Sequence, residues 1–191
     1  FPLNMYEESV KVPFIARHPG RIPAGVVCDS LVSAYDFMPT LLDYLGLKPL
    51  DMAKRPGVSF VPALLGQDFE RPGGIVVMDE YGPNRMLRDQ RYKYIARYPY
   101  GPNALYDLKA DPGEQDNLLA HGGFEALEQE LRGRLEKWFA KYVNPEIDGA
   151  REAVFGSGQI GLAGLWGAGV SAHSCDDYIK KNPNYALYRV K

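Results

Sequence analysis

The chain is short of cysteine. Its 191 residues include two, Cys28 and Cys175, which are too few to staple a disulfide scaffold. The count allows either a Cys28–Cys175 disulfide or two free thiols, and we expect two buried free thiols. An excess of one charge is absent as well, because 22 Lys and Arg residues face 24 Asp and Glu residues. The net charge of −2 argues against nucleic-acid binding as the main role.

Long apolar runs are also missing. No segment approaches the roughly 20 consecutive apolar residues that a membrane-spanning helix needs. There is no initiating Met and no signal peptide, so Phe1 is expected to lie within a longer natural polypeptide. Hydrophobic residues at 46% and charged residues at 24% are instead typical of a globular protein.

The first third of the chain predicts one strand and one helix. The apolar run at residues 12–16 indicates a buried strand, which ends at the turn residues His18-Pro19-Gly20. Asp36 is a favourable N-cap, and apolar residues then recur at helical spacing, at Phe37, Leu41, Leu42 and Leu45. A strand, a loop and a helix in this order are typical of part of an α/β layer.

The middle of the chain has a different pattern. Four segments rich in apolar and aromatic residues predict strands, at residues 75–78, 85–87, 92–98 and 105–108. Apolar residues spaced by three and four then predict an amphipathic helix over residues 124–142. An antiparallel sheet covered on one face by a helix is a stable two-layer unit. On such a sheet we expect Lys93 to point outward.

Residues 105–118 read LYDLKADPGEQDNL, in which Asp-Pro-Gly is a turn built from residues that favour turns. The segment resembles the LYDL-x-x-DP-x-E-x-x-NL signature near the C-terminal end of sulfatases, enzymes of the alkaline phosphatase superfamily. Three further segments resemble the same family in the same order, at residues 6–15, 36–46 and 86–95. One such match is weakly specific, but four in order form a specific pattern.

The resemblance implies a fold and a division of the chain. Residues 1–70 are expected to be the C-terminal end of the large sulfatase α/β domain, with its last strand and helix. Residues 71–145 are expected to form the small α+β subdomain, an antiparallel sheet covered by a C-terminal helix. Residues 146–191 match no part of the family pattern, and we expect a Gly-rich tail wrapped on the core.

The resemblance also implies cofactors. In sulfatases the nucleophile is a formylglycine made from the Cys or Ser of a C/S-x-P-x-R motif, and Ca²⁺ lies beside it. Neither Cys28 nor Cys175 is followed by Pro and Arg at that spacing. Formylglycine and Ca²⁺ are therefore expected in a missing N-terminal catalytic half, which would be the natural partner of this chain. We expect no catalytic residue and no metal ligand here, and no activity of the chain alone.

Two loops carry side chains suited to a sulfated small molecule or sugar. The first is cationic and holds His18 between Arg17 and Arg21, at a strand end of the α/β layer, where ligands gather. The alternative interpretation is a loop that is simply solvated.

The second loop, residues 80–85, combines the carboxylate of Glu80, the ring of Tyr81 and the guanidinium of Arg85. These groups suit a sugar and an anion. The resemblance implies that this region forms part of the wall of the substrate cleft. A hairpin loop of ordinary polarity is the alternative. Glu7 would closely follow the family's active-site lysine. It could orient the active-site residues or cap and pair at the surface, and we expect the surface role.

Three functions stay open on the sequence. The parent protein is either a sulfatase acting on sulfate esters or sulfamates, or a phosphonate or phosphate monoester hydrolase of the same superfamily. The third alternative is a non-catalytic binding module. The helix at residues 36–45 is built to pack on a sheet that this chain mostly lacks, so we expect an exposed apolar face and self-association.

Overall fold

The computed structural model describes residues 5–48, 51–79, 84–98 and 102–148. The chain divides into two compact units, of which unit 1 comprises Phe1–Val10 with Val76–Lys191 and unit 2 comprises Lys11–Ile75. The predicted site residues Glu80 and Tyr81 lie outside the described residues, as does the tail from residue 149.

Helices and strands occur in both units. The helices are α1 (Glu7–Val10), α2 (Phe37–Tyr44), α3 (Val61–Leu64) and α4 (Glu125–Tyr142). The strands are β1 (Ile75–Met78), β2 (Asn84–Arg88), β3 (Tyr92–Arg97) and β4 (Ala104–Asp107). Short 3-10 helices lie at Ala34–Asp36, Leu118–Ala120 and Pro145–Ile147. In the described ranges, no helix is long and apolar enough to cross a membrane.

Unit 1 is built on a four-stranded sheet with the order β1-β2-β3-β4. Strands β2 and β3 form the predicted hairpin, in which Met86 lies opposite Ile95, and β4 pairs antiparallel to the other edge of β3. The predicted class, α/β with a small sheet-plus-helix subdomain, is confirmed. The α4 helix was also predicted within one residue at its start.

One face of this sheet packs against α4. Because side chains alternate along a strand, Leu87, Tyr94 and Leu105 all point to this face. They form a buried cluster with Leu131, Leu135 and Phe139, which repeat along one side of α4. This layer is the two-layer unit that the sequence predicts.

The opposite face of the sheet is covered as well, which the sequence prediction missed. Met86, Ile95 and Tyr106 form a second buried cluster there with Met5, and Tyr6 and Val10 pack against it. Residues 5–10 therefore belong to unit 1, although the whole of unit 2 follows them in sequence. With both faces covered, the four central residues of β3 are all buried.

Unit 2 is organised around the buried carboxylate of Asp36 at the start of α2. The carboxylate accepts hydrogen bonds from the backbone amides of Ser33 (2.7 Å) and Val58 (2.8 Å) and pairs with the guanidinium of Arg71. One turn later, the hydroxyl of Thr40 accepts a hydrogen bond from the amide of Phe60 at 3.0 Å. Asp36 lies at the N-cap position of α2, as predicted, but its side chain makes no capping hydrogen bond there and instead fixes the distant loop at residues 56–60.

Three expectations for unit 2 meet different outcomes. Residues 12–16 do not form the predicted buried strand: Val12 is 76% exposed, Ile15 is 91% exposed, and neither is paired in a sheet. A strand needs a neighbour, and no described strand lies beside this segment.

Cys28 is an exposed thiol, so its predicted burial is wrong, and Cys175 lies outside the described residues. The apolar face of α2 is exposed, as predicted.

Gly57 of unit 2 lies where the structure leaves no room for a Cβ atom. A Cβ atom there would clash with the carbonyl oxygen of Tyr35 and lie 2.9 Å from the Cγ of Pro39. We expect Gly57→Ala to lower the free energy of unfolding by about 1–3 kcal/mol, measured by urea denaturation. The matched control is Gly133→Ala in α4, where nothing lies within 4 Å and a gain of about 1 kcal/mol is expected. Equal effects of the two substitutions would contradict the packing described.

Candidate functional site

Among the described residues of unit 1, the ammonium of Lys93 is a fully buried charge. Its side chain has no solvent exposure, and Nζ lies 2.8 Å from Oε1 of Glu7, 2.7 Å from Oε1 of Glu114 and 2.9 Å from the carbonyl oxygen of Met5. The expectation that Lys93 points outward is wrong. The alternation along β3 was interpreted correctly, but residues 5–10 cover the face to which Lys93 points.

Glu7 joins this cluster from α1, so the surface pairing expected for it is also wrong. Its Oε1 accepts a hydrogen bond from Nε of Arg88 at 2.9 Å, and its amide donates to Oε2 of Glu114 at 2.6 Å. Partial burial alone would raise the pKa of Glu7, but the hydrogen bond and charge of Lys93, with those of Arg88, outweigh it and lower that pKa. The group holds two carboxylates and two cations, so its charges balance.

The sulfatase-like signature at residues 105–118 also has an internal role. Glu114 takes a left-handed backbone conformation with φ of 53°, which turns its side chain toward Lys93. Asn117 accepts a hydrogen bond from the amide of Leu105 at 2.9 Å and donates to the carbonyl of Asn103 at 3.1 Å. The polar residues of the signature therefore hold β4 and the following turn in place.

Arg85, a predicted substrate contact, is buried in unit 1 with 5% exposure. Its guanidinium pairs with Asp148 and lies 3.8 Å from the ring centre of Phe139 and 5.0 Å from that of Tyr98. In this arrangement the guanidinium is already surrounded by protein groups. A role for the loop at residues 80–85 stays a prediction, since its other two candidates are outside the described residues.

His18, the remaining candidate, lies in an exposed turn of unit 2. Its Nδ1 is 2.7 Å from the hydroxyl of Tyr44 on α2, and the two rings meet edge to face at 5.8 Å. The guanidinium of Arg21 lies over the ring of Tyr44, 4.7 Å from the ring centre. The structure thus adds Tyr44, which sequence reasoning missed because it lies 26 residues from His18.

Unit 2 also has a shallow open cleft of about 390 Å³, lined by residues 26–30, by Ala63 and by residues 66–70. Three carboxylic acids, Asp29, Asp68 and Glu70, line it beside Cys28. A surface of this sign repels sulfate, so the cleft is a poor anion site. The turn that holds His18 and Arg21 is the better candidate in this unit.

The cofactors that the resemblance implies do not fit the residues present. Within the part of the chain that the structure describes, no three His, Cys, Asp or Glu side chains form a group that could hold a metal ion. Cys28 is followed by Asp-Ser-Leu rather than by the Pro and Arg of a formylglycine motif. No chemical step is therefore assigned to Ca²⁺ or formylglycine in this chain.

The chain is similar in sequence to a family of known proteins and to several of its members. The family described as "N-sulphoglucosamine sulphohydrolase, C-terminal" matches residues 3–141. An ulvan-active sulfatase of Formosa agariphila is 31% identical over 166 residues, covering 68% of this chain and 33% of that protein. A delta 4,5-hexuronate-2-O-sulfatase of Bacteroides thetaiotaomicron is 32% identical over 148 residues, covering 73% of this chain and 30% of that protein.

Solved structures agree on the fold. BT4656, in complex with its substrate D-glucosamine-2-N,6-O-disulfate, superposes with a TM-score of 0.57 and 24% identity, covering 69% of this chain and 28% of that one. The phosphonate monoester hydrolase SpPMH of Silicibacter pomeroyi gives a TM-score of 0.53 and 19% identity, covering 68% and 29%. At these identities the likeness concerns the fold alone.

The fold is that of the C-terminal portion of an alkaline-phosphatase-like hydrolase. Within that class the chain belongs to the sulfatases, in the family described as "N-sulphoglucosamine sulphohydrolase, C-terminal". The resemblance seen in the sequence is confirmed. The chain spans about a third of the length of these two relatives.

Lys93→Met is predicted to destabilise unit 1 severely. It leaves the carboxylates of Glu7 and Glu114 buried without their shared cation, at an expected cost of about 3–5 kcal/mol in urea unfolding. Lys137→Met, at an exposed position of α4, is the matched control and should change stability by less than about 0.5 kcal/mol. Similar losses in both variants would show that the buried cluster is unimportant.

The cluster also predicts an acid-sensitive stability. Because the pKa of Glu7 is lower in the folded chain than its usual 4.5, its contribution is complete above that pH and is lost as pH falls through the folded-state value. Asp89 behaves alike, because hydrogen bonds from Tyr92, Arg91 and Arg134 outweigh its burial and lower its pKa. We expect the urea concentration at the unfolding midpoint to decrease as the pH is lowered below 4.5. In Glu7→Gln this decrease should be smaller. An unchanged pH profile in Glu7→Gln would refute this assignment.

Proposed function

We propose that this chain is the C-terminal portion of a sulfatase that acts on a sulfated carbohydrate. In this proposal the whole protein hydrolyses a sulfate ester or sulfamate, and this portion contributes structure and part of the substrate cleft wall. Support comes from the family match and from relatives whose names specify ulvan or a hexuronate. A phosphonate hydrolase shares the fold only, which does not favour that alternative.

The observation that carries the proposal is the exposed apolar face of α2. Phe37, Met38, Leu41 and Leu45 are between 43% and 55% exposed along this short helix. Contiguous apolar surface of this kind marks an interface in soluble proteins. We assign the interface to the N-terminal catalytic half of the same enzyme, because the relatives contain about two further thirds of polypeptide.

The division of chemistry follows from the residues that are present. In the proposed enzyme, the N-terminal half supplies formylglycine and Ca²⁺, since the described residues of this chain offer no ligand group for the metal. The loop at residues 80–85 is proposed to form part of the cleft wall. The buried ion pairs around Lys93 stabilise unit 1 and the pair of Asp36 stabilises unit 2, and neither is proposed to take part in hydrolysis.

The test uses the chain with and without the polypeptide that the gene encodes ahead of residue 1. We expect no sulfate release by the chain alone and sulfate release from a sulfated sugar when both parts are expressed together with formylglycine maturation. The upstream sequence should also contain C/S-x-P-x-R. Sulfate release by the chain alone, or an upstream sequence without this motif, would overturn the proposal.

The interface gives a separate prediction. The chain alone should self-associate or bind a hydrophobic dye, because the face of α2 is uncovered. Leu41→Glu combined with Leu45→Glu should reduce dye binding and prevent capture by the N-terminal half. Lys54→Glu, at an exposed position outside α2, is the matched control and should leave both unchanged. A monomer that binds no dye would count against the exposed face.

A further inference from the structure

We propose that His18, Arg21 and Tyr44 form a binding site for the sulfate group of a sugar. The inference deepens the proposed function, on which it rests for the choice of a sulfated sugar over other anions. Its evidence lies in the geometry of the turn, in the orientation of the imidazole and in the charge of Arg21, for which the described residues show no paired carboxylate.

The turn holds His18 and Arg21 in a fixed relation. The carbonyl oxygen of His18 accepts hydrogen bonds from the amides of Arg21 (3.1 Å) and Ile22 (2.9 Å). Between them, Gly20 takes φ of +81°, a conformation that residues with a Cβ rarely adopt, and Pro19 fixes its own φ. The backbone is therefore organised before any ligand binds, which lowers the entropy cost of binding.

Tyr44 orients the imidazole. When the phenol hydroxyl donates to Nδ1 of His18 across their 2.7 Å contact, the ring proton lies on Nε2. Nε2 then becomes a hydrogen-bond donor on the side of the ring away from Tyr44. A sulfate oxygen, which only accepts hydrogen bonds, selects this form of the ring.

Arg21 supplies the charge. Its guanidinium lies over the Tyr44 ring, 4.7 Å from the ring centre, so Tyr44 contacts both Arg21 and His18. Among the residues for which the structure gives side-chain contacts, no carboxylate pairs with Arg17, His18 or Arg21. An incoming anion therefore does not have to displace a protein carboxylate.

These groups suit a sulfated sugar better than a free anion. Two charge-assisted donors can each bind one sulfate oxygen, and the exposed edge of the imidazole can contact the sugar ring. Because the site is open to water, its hydrogen bonds are screened, and we expect a dissociation constant on the order of 1 mM for the chain alone.

The competing interpretation is that the His18–Tyr44 bond merely fastens the turn to α2. That role needs no contribution from Arg21 and no preference among ligands. A site for a sulfated sugar requires both, so the two interpretations give different results in one titration.

The experiment is a titration of the full chain followed by NMR. The ligands are glucosamine 6-sulfate, unsulfated glucosamine, glucuronate and inorganic sulfate. We expect glucosamine 6-sulfate to bind most tightly and to perturb the amides of His18 and Arg21. Arg21→Ala should weaken binding about tenfold, which is the effect of losing one hydrogen bond to a charged group. His18→Ala should weaken it similarly.

Arg55→Ala removes an exposed arginine of the same unit and is the matched control. Equal loss of affinity in Arg55→Ala and Arg21→Ala would overturn the proposal in favour of diffuse charge attraction. Equal affinity for inorganic sulfate, or for unsulfated glucosamine, would overturn the sugar-sulfate assignment. An amide spectrum of unit 2 that is unchanged outside the turn would show that each variant remains folded.

Failure of this inference is distinguishable from failure of the proposed function. If the two-part enzyme releases sulfate while Arg21→Ala leaves the titration unchanged, the site is wrong and the sulfatase assignment stands. If the titration behaves as expected but the two-part enzyme releases no sulfate, the site stands and the sulfatase assignment fails.

Discussion

The ammonium of Lys93 is the constraint on which unit 1 depends. A cation with no solvent exposure is costly to bury unless opposite charges and hydrogen-bond acceptors surround it. The partners of Lys93 are the carboxylates of Glu7 and Glu114 and the carbonyl of Met5. These three residues are 86, 21 and 88 positions from Lys93 in sequence. A single ammonium therefore connects α1, β3 and the turn after β4. The sheet acquires its second apolar cover because this cluster fastens residues 5–10 to it.

Unit 2 also depends on a buried charge with a full set of partners, but there the charge is negative. There a carboxylate, that of Asp36, is buried, and Arg71 with two backbone amides satisfies it. In both units the buried charged residues of the family-like segments, such as Lys93, Glu114 and Asp36, form internal bonds rather than a surface for a ligand. This explains why such segments identify the family well and say little about the substrate. The recognition that we propose for this chain uses loop residues outside the buried ion pairs instead, His18 and Arg21.

The sequence predicted the elements whose signal is local. The strands of unit 1 and α4 follow from periodicity within one segment, and the structure contains them all. The predictions failed where a distant segment decides the outcome. Lys93 is buried because residues 5–10 cover it, and residues 12–16 stay irregular because no described strand lies beside them. Of the candidate site, His18 was visible as a cationic loop residue, whereas its contact with Tyr44 depends on the packing of the loop on α2.

Docking and anion recognition are coupled through α2. Phe37, Leu41 and Tyr44 are spaced by four and three residues, so they lie along one side of the helix. The exposed apolar face therefore borders the ring that holds His18 and Arg21. A partner that covers this face would exclude water next to His18 and Arg21, and a lower local dielectric strengthens a bond between a guanidinium and a sulfate. The weak site expected for the chain alone would thus become a stronger one in the assembled enzyme, without any change in its residues.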